Sequence, residues 1–321
     1  NGVCATANTA LVTMNVSAPP TPGTLGGSTT VCATSNSATL TLSGNSVAPT
    51  RYESSTISDF SSNITTINNT TTSLAVSGLS QTTYYRAVVI SGVCTTYSTT
   101  ATVTVNAASV GGTAAVSTSN PVCSGTNTTT VTLSGNTGNV TKWQYSTTSD
   151  FSAATDVAGT STSLTVTNLT GSRYYRAVVT SGLSDADTTS AVVITVDPVS
   201  VSGTVSGTDT ICSGTTATVA VSGNTGTIQW QQSANGINYS NVTSNGNSAN
   251  YTSGALTTST YYRVVATSGV CSADTSNAVL ITVGDFTAPV QPTIATATGE
   301  CSVTVTAPTT TDNCKGTVTG T

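Results

Sequence analysis

Eight cysteines and no histidine set the chemistry open to this 321-residue chain. The cysteines are Cys4, Cys32, Cys94, Cys123, Cys212, Cys271, Cys301 and Cys314, and none stand in a Cys-x-x-Cys pair. Zinc centres draw on close-set cysteine or histidine pairs, so this pattern points to disulfides and an oxidising, extracytoplasmic compartment. The interval from Cys32 to Cys94 (94 − 32 = 62) recurs nearly unchanged between Cys212 and Cys271 (271 − 212 = 59). The recurrence predicts disulfides Cys32–Cys94 and Cys212–Cys271, with Cys301–Cys314 as a third pair. Closing loops of 59–62 residues should stabilise the fold by about 4 kcal/mol each on the chain-entropy model. Cys4 then looks upstream for a partner. Cys123 is left over, since Ser184 occupies the position of its mate, and it is a candidate for linking two chains.

Catalytic groups are missing. Without histidine there is no Ser-His-Asp or Cys-His arrangement. The 12 acidic residues never recur as a pair, so a glycosidase dyad has no candidates, and no glycine-rich phosphate loop occurs. The chain is expected not to be an enzyme and to need no cofactor. Asp185 and Asp187, and near the last junction Asp285 and Asp312, are weak calcium candidates beside the plainer reading of solvated loops. The 7 basic residues are scattered and the net charge is −5, which argues against nucleic acid or an anionic membrane as partner. No run approaches the roughly 18 apolar residues of a membrane helix. Charged residues are only 6%, so solubility must come from the abundant Thr, Ser and Asn. Asn63, Asn69, Asn139, Asn168 and Asn241 open Asn-x-Ser/Thr triplets, as expected by chance in such a composition.

The elements that position these residues repeat. Tyr84-Tyr85-Arg86-Ala87-Val88-Val89 returns as Tyr174-Tyr175-Arg176-Ala177-Val178-Val179 and as Tyr261-Tyr262-Arg263-Val264-Val265-Ala266, at offsets of 90 (175 − 85) and 87 (262 − 175). A fixed period means tandem units. Each unit runs from a Cys through an alternating strand, a Ser-Gly-Asn turn, an aromatic strand (Tyr52, Trp143, Trp230), the Tyr-Tyr-Arg strand and a closing Val-rich strand. Period-two alternation with Thr and Val enrichment predicts half-buried antiparallel strands and an all-β sandwich in each unit. Successive strand residues face opposite sides, so Tyr85, Tyr175 and Tyr262 are expected in the core with Tyr52, Trp143 and Trp230. Arg86, Arg176 and Arg263 should lay their stems over the outer face. The expected domains are 1–18 (end of a preceding repeat), 19–106, 107–197 and 198–284 (three repeats), and 285–321 (start of a different module).

Leu79, Leu169 and Leu256 each stand six residues before the inner Tyr, a spacing that resembles the tyrosine corner of immunoglobulin-like and fibronectin type III domains. In that topology the two cysteine loops of one domain lie at opposite ends, which would bring Cys123 beside Cys271 of the next domain. That alternative leaves Cys32 and Cys212 without partners, so pairing within domains is the primary expectation, with displaced first strands.

Cys212-Ser213-Gly214 before a Thr/Val strand and Gly-Val-Cys after Tyr-Tyr-Arg resemble the tandem immunoglobulin-like repeats of Bacteroidota cell-surface adhesins. The closest in style is the giant gliding-motility adhesin exported by the type 9 secretion system. The tail, Thr287-Ala288-Pro289 to Thr311-Asp312-Asn313-Cys314, resembles hyalin-repeat-like modules. The resemblance implies end-to-end β-sandwiches in an extracellular surface filament, gripping surface polysaccharide or other surfaces and packing against neighbouring repeats of the same chain. Two alternatives are a spacer or carbohydrate-binding region of a secreted polysaccharide-degrading enzyme, and a filament subunit whose residues 1–18 donate a strand.

Overall fold

The structure is a computed structural model. It describes residues 13–319 except 15, 17, 35, 117, 118, 295, 297, 300, 301 and 303–305, so Cys4, Cys301 and most of the expected strand within 1–18 lie outside the described residues. Among these residues there are strands and no helix. The chain falls into two compact units. One holds the first repeat and part of the second; the other holds the rest of the second, the third and the C-terminal segment.

Nine strands build the first repeat: β1 (Thr24–Gly26), β2 (Thr29–Cys32), β3 (Ser37–Ser43), β4 (Arg51–Ser55), β5 (Thr65–Ile67), β6 (Ser73–Ser77), β7 (Thr83–Ser91), β8 (Cys94–Tyr97) and β9 (Ala101–Asn106). One sheet has the order β1-β3-β6; the other has the order β2-β9-β7-β4-β5, with β8 also paired to β7. In β3 and β6 Leu40, Leu42, Leu74 and Val76 point inward, while the alternate Ser, Thr and Ala side chains are exposed or half-exposed. Alternation of this kind lets a two-sheet sandwich bury one face of each sheet. Tyr52, Tyr85, Ala87, Val89 and Val103 fill the gap from the other sheet. Fully buried Tyr52 places its hydroxyl on the Thr71 carbonyl at 2.8 Å, satisfying its one polar atom.

The third repeat repeats the plan. Thr204–Gly207, Thr218–Ser222 and Asn250–Thr252 form the small sheet. The large sheet has the order Thr210–Ile211, Val279–Val283, Thr260–Thr267, Thr227–Ser233, Ser240–Asn241. Its separate core centres on Trp230 and Tyr262, with Tyr251 packed 5.7 Å from the Tyr262 ring centre. Strands occur at the corresponding positions of the middle repeat, where Trp143 is fully buried and Tyr175 nearly so. The indole N–H groups of Trp143 and Trp230 donate to the carbonyls of Ser161 (3.0 Å) and Ser248 (2.9 Å).

The arginines of the Tyr-Tyr-Arg motif do more than cover the outer face. Each lies opposite an acceptor on the aromatic strand: Glu53↔Arg86, Gln144↔Arg176 and Gln231↔Arg263. Each also stacks on an aromatic ring. Arg86 lies over Phe60 and Tyr97, Arg176 over Phe151 and Arg263 over Tyr239, at 3.7–4.3 Å from the ring centres. Glu53 is 5% exposed and pairs with both Arg86 and Arg51. Burial opposes its charge, but hydrogen bonds and charge from the two guanidiniums outweigh burial and lower its pKa. A depressed folded-state pKa contributes stability above the ordinary carboxylate value, and that stability is lost as pH falls through the folded value. The first repeat should therefore weaken on acidification below the ordinary Glu range. Glu53→Gln, which copies Gln144 and Gln231, should remove most of that acid dependence at a cost of about 1 kcal/mol at neutral pH. Urea titrations of the two proteins at pH 7 and pH 3 check this; an unchanged pH dependence in the variant would rule it out.

Candidate functional site

The residues singled out for chemistry converge on the junctions between repeats. The second strand of each repeat pairs in parallel with that repeat's last strand: Cys32 opposes Asn106 and Cys123 opposes Asp197. Thr210–Ile211 and Val279–Val283 pair in the same way, and the Gly284 N–H donates to the Ile211 carbonyl at 3.0 Å. Each first cysteine is thereby carried to the end of its repeat that leads into the next.

The loop after the Tyr-Tyr-Arg strand comes from the following repeat to meet it. At the second junction Cys271 lies over the connection, with its sulfur 3.2 Å from the Pro198 carbonyl oxygen, and the Val270 N–H donates to Asp197 at 2.9 Å. Gly269 has φ +49°, and a Cβ there would collide with the Asp197 carboxylate. Glycine is required at that close approach. The Ser268 N–H is held by the Ser200 hydroxyl, as the Ser181 N–H is by Ser109 at the first junction.

These positions fix the disulfides as Cys123–Cys271 (Cα–Cα 4.9 Å) and Cys212–Cys314 (5.3 Å), both joining successive segments. The pairings expected within repeats, Cys32–Cys94 and Cys212–Cys271, do not form. Cys32 sits beyond the Thr83 end of β7 whereas Cys94 follows Ser91 at its other end, and the length of β7 separates them by about 27 Å. A disulfide tolerates Cα atoms no more than about 7 Å apart. Cys123, expected unpaired, is bonded. Cys314, expected to pair with Cys301, instead takes Cys212 from the turn of the hairpin Thr309–Asp312/Gly316–Thr319.

The first junction has the same architecture, with Asn106 and Ala107 in the places of Asp197 and Pro198 and a serine in place of the second cysteine. Ser184 stands where Cys271 stands in the next repeat, its hydroxyl donating to the Ala107 carbonyl at 3.0 Å and contacting the Cys32 sulfur. Hydrogen bonds with Ser184 and then Thr34 lower the pKa of the Cys32 thiol. Ser184→Cys should close a further disulfide, to Cys32, under air. Thiol titration would then find one reactive thiol fewer than in the parent, and the first junction would gain up to about 5 kcal/mol on the chain-entropy model. One thiol more, with unchanged stability, would show that the two positions do not meet.

Two asparagines that sequence reasoning passed over lock the same region. The Asn36 side chain bonds the N–H and C=O of Leu79 (both 2.7 Å) and the Cys32 carbonyl (3.1 Å). Asn127 does the same for Leu169 and Cys123. The signal was present as Cys-x-x-x-Asn in both repeats. These asparagines hold the Leu79 and Leu169 backbone groups, and the Tyr262 hydroxyl, buried in the third repeat, has no hydrogen-bond partner among the described residues. The tyrosine-corner tie is therefore absent there.

The acidic candidates are used as backbone acceptors. Asp187 takes the N–H groups of Gly111 and Thr188, and Asp312 those of Cys314 and Lys315. Asp274, at the position of Asp187 in the next repeat, takes the N–H and hydroxyl of Ser202. Among the described residues no three acidic, cysteine or histidine side chains gather as a metal site, and Asp185 and Asp187 are not brought together with a third ligand.

Repeated sandwiches of about ninety residues, clasped at their junctions, define a tandem immunoglobulin-like repeat protein. The chain belongs to the family described as "Domain of unknown function (DUF8696)", whose model matches residues 21–107, 110–198 and 201–285. No curated protein matches it significantly. Solved structures similar to it include the chicken CNTN1 FN1-FN3 domains (14% identity, TM-score 0.31, covering 83% of this chain and 99% of that one). Murine CEACAM1b is similar at 13% identity and TM-score 0.36, covering 53% of this chain and 99% of that one. A mouse coronavirus receptor-binding domain complexed with its murine receptor gives 14% identity, TM-score 0.37 and the same two coverages.

Proposed function

We propose that the chain is a non-catalytic repeat segment of a large extracellular adhesin or filament, serving as a disulfide-clasped rod in surface attachment and in gliding motility. The observation that carries the reading is the junction: a cysteine delivered to the end of one repeat bonds a loop of the next, at both Cys123–Cys271 and Cys212–Cys314. Such clasps fit a part that transmits load through an oxidising exterior. Tyr52, Tyr85, Trp143, Tyr175, Trp230 and Tyr262 are spent on cores, and Phe60, Tyr97, Phe151 and Tyr239 are stacked with arginines, which fits a spacer better than a sugar-binding platform. No helix among the described residues is long and apolar enough to cross a membrane. Export by a type 9 system from a Bacteroidota cell, with surface polysaccharide as the counterpart, follows from the sequence resemblance.

Attachment would come from many weak contacts acting together. The oxidised protein, coupled at high density to beads, should be retained on polysaccharide-coated glass under flow, while beads carrying sparse copies wash off. Equal loss of dense and sparse beads from polysaccharide and from bare surfaces would exclude the adhesive role.

A further inference from the structure

The two disulfide loops overlap: the second begins at Cys212, inside the loop that closes from Cys123 to Cys271, and ends beyond it at Cys314. Loops confined to single repeats would lie one after another along the chain. Here each bond spans a junction, because the parallel strand before it carries the first cysteine to the far end of its repeat. We propose that the clasps form a redundant covalent load path, in which tension crosses from the second repeat to the third through Cys123–Cys271, sparing residues 124–270, while Cys212–Cys314 stands in reserve.

The consequence is arithmetic. The first bond withholds 148 residues from extension and the second 102. Because the loops overlap, a stretched chain takes the shortest covalent route, which crosses only Cys123–Cys271; the second bond adds nothing while the first is intact. When the first is broken the second takes over, and only 46 residues (148 − 102) are released. A failed clasp at one junction thus leaves most of the hidden length hidden. The load path follows from connectivity alone, and only its use in a surface filament rests on the reading above.

Pulling the full chain by its ends to complete unfolding, under oxidising conditions, tests the proposal. Relative to the parent, Cys314→Ser should leave the final contour length unchanged. Cys271→Ser should lengthen it by about 160 Å, and the two together by about 500 Å. The parent in the presence of a dithiol, which reduces each disulfide to two thiols, should match the double variant. Final contour length does not depend on whether a variant folds well. Additive gains, about 350 Å for Cys314→Ser alone and about 500 Å for Cys271→Ser alone, would show separate loops and overturn the proposal. These outcomes do not depend on any adhesive partner, so loss of bead attachment would leave them standing.

Discussion

Cys271→Ser is expected to lower the thermal midpoint of the second and third repeats by on the order of 10 °C or more. The bond closes a loop across 148 residues, and on the chain-entropy model removing it returns about 5 kcal/mol of freedom to the unfolded chain. The folded state also loses a constraint it can ill replace. Across that junction the Val270 N–H donates to the Asp197 carboxylate and the Ser268 N–H to the Ser200 hydroxyl, each bond contributing about 1 kcal/mol. Calorimetry of the parent and the variant, each with and without a dithiol, should place the oxidised variant, which keeps Cys212–Cys314, between the oxidised and the reduced parent, and should give coincident curves once both are reduced. An oxidised variant as stable as the oxidised parent would mean that the clasp does not stabilise the fold.

Trp230→Ala should bring the third repeat to the edge of unfolding. The side chain is fully buried at the centre of a core otherwise made of Val, Ala, Ile and Tyr, and truncating it costs about 3–5 kcal/mol. That is a large share of the stability of a domain of this size. The change also leaves the Ser248 carbonyl without its donor. Trp230→Phe keeps most of the volume and should cost much less. Limited proteolysis should cut the Ala variant within 198–284 while the first repeat, whose core is a separate cluster, stays intact. Resistance equal to the parent would contradict the placement of Trp230.

Much of this fold was legible in the sequence because its signals are local. Val-Thr alternation marked the strands, and the recurring Tyr-Tyr-Arg marked both the period and the inward tyrosines. The disulfides were not legible in the same way. Equal spacing of Cys32–Cys94 and Cys212–Cys271 recorded the period of the repeat, and a period says nothing about which end of a sheet a residue occupies. That is decided by the parallel pairing of β2 with β9, a contact between segments over seventy residues apart. Ser184 was read as the missing mate of Cys123; the fold makes it the missing mate of Cys32. The arginine stacks depend on Phe60 and Phe151, held at φ 55° in turns where an aromatic side chain is not expected. The repeated Ser-Asp-Phe at 58–60 and 149–151 was the available clue.

Peptide mapping of the oxidised protein without reduction tests the central claim most directly. The junction architecture predicts one linked pair containing Cys123 and Cys271 and another containing Cys212 and Cys314. A linked pair joining Cys212 to Cys271 would place the bond inside a single repeat and contradict it.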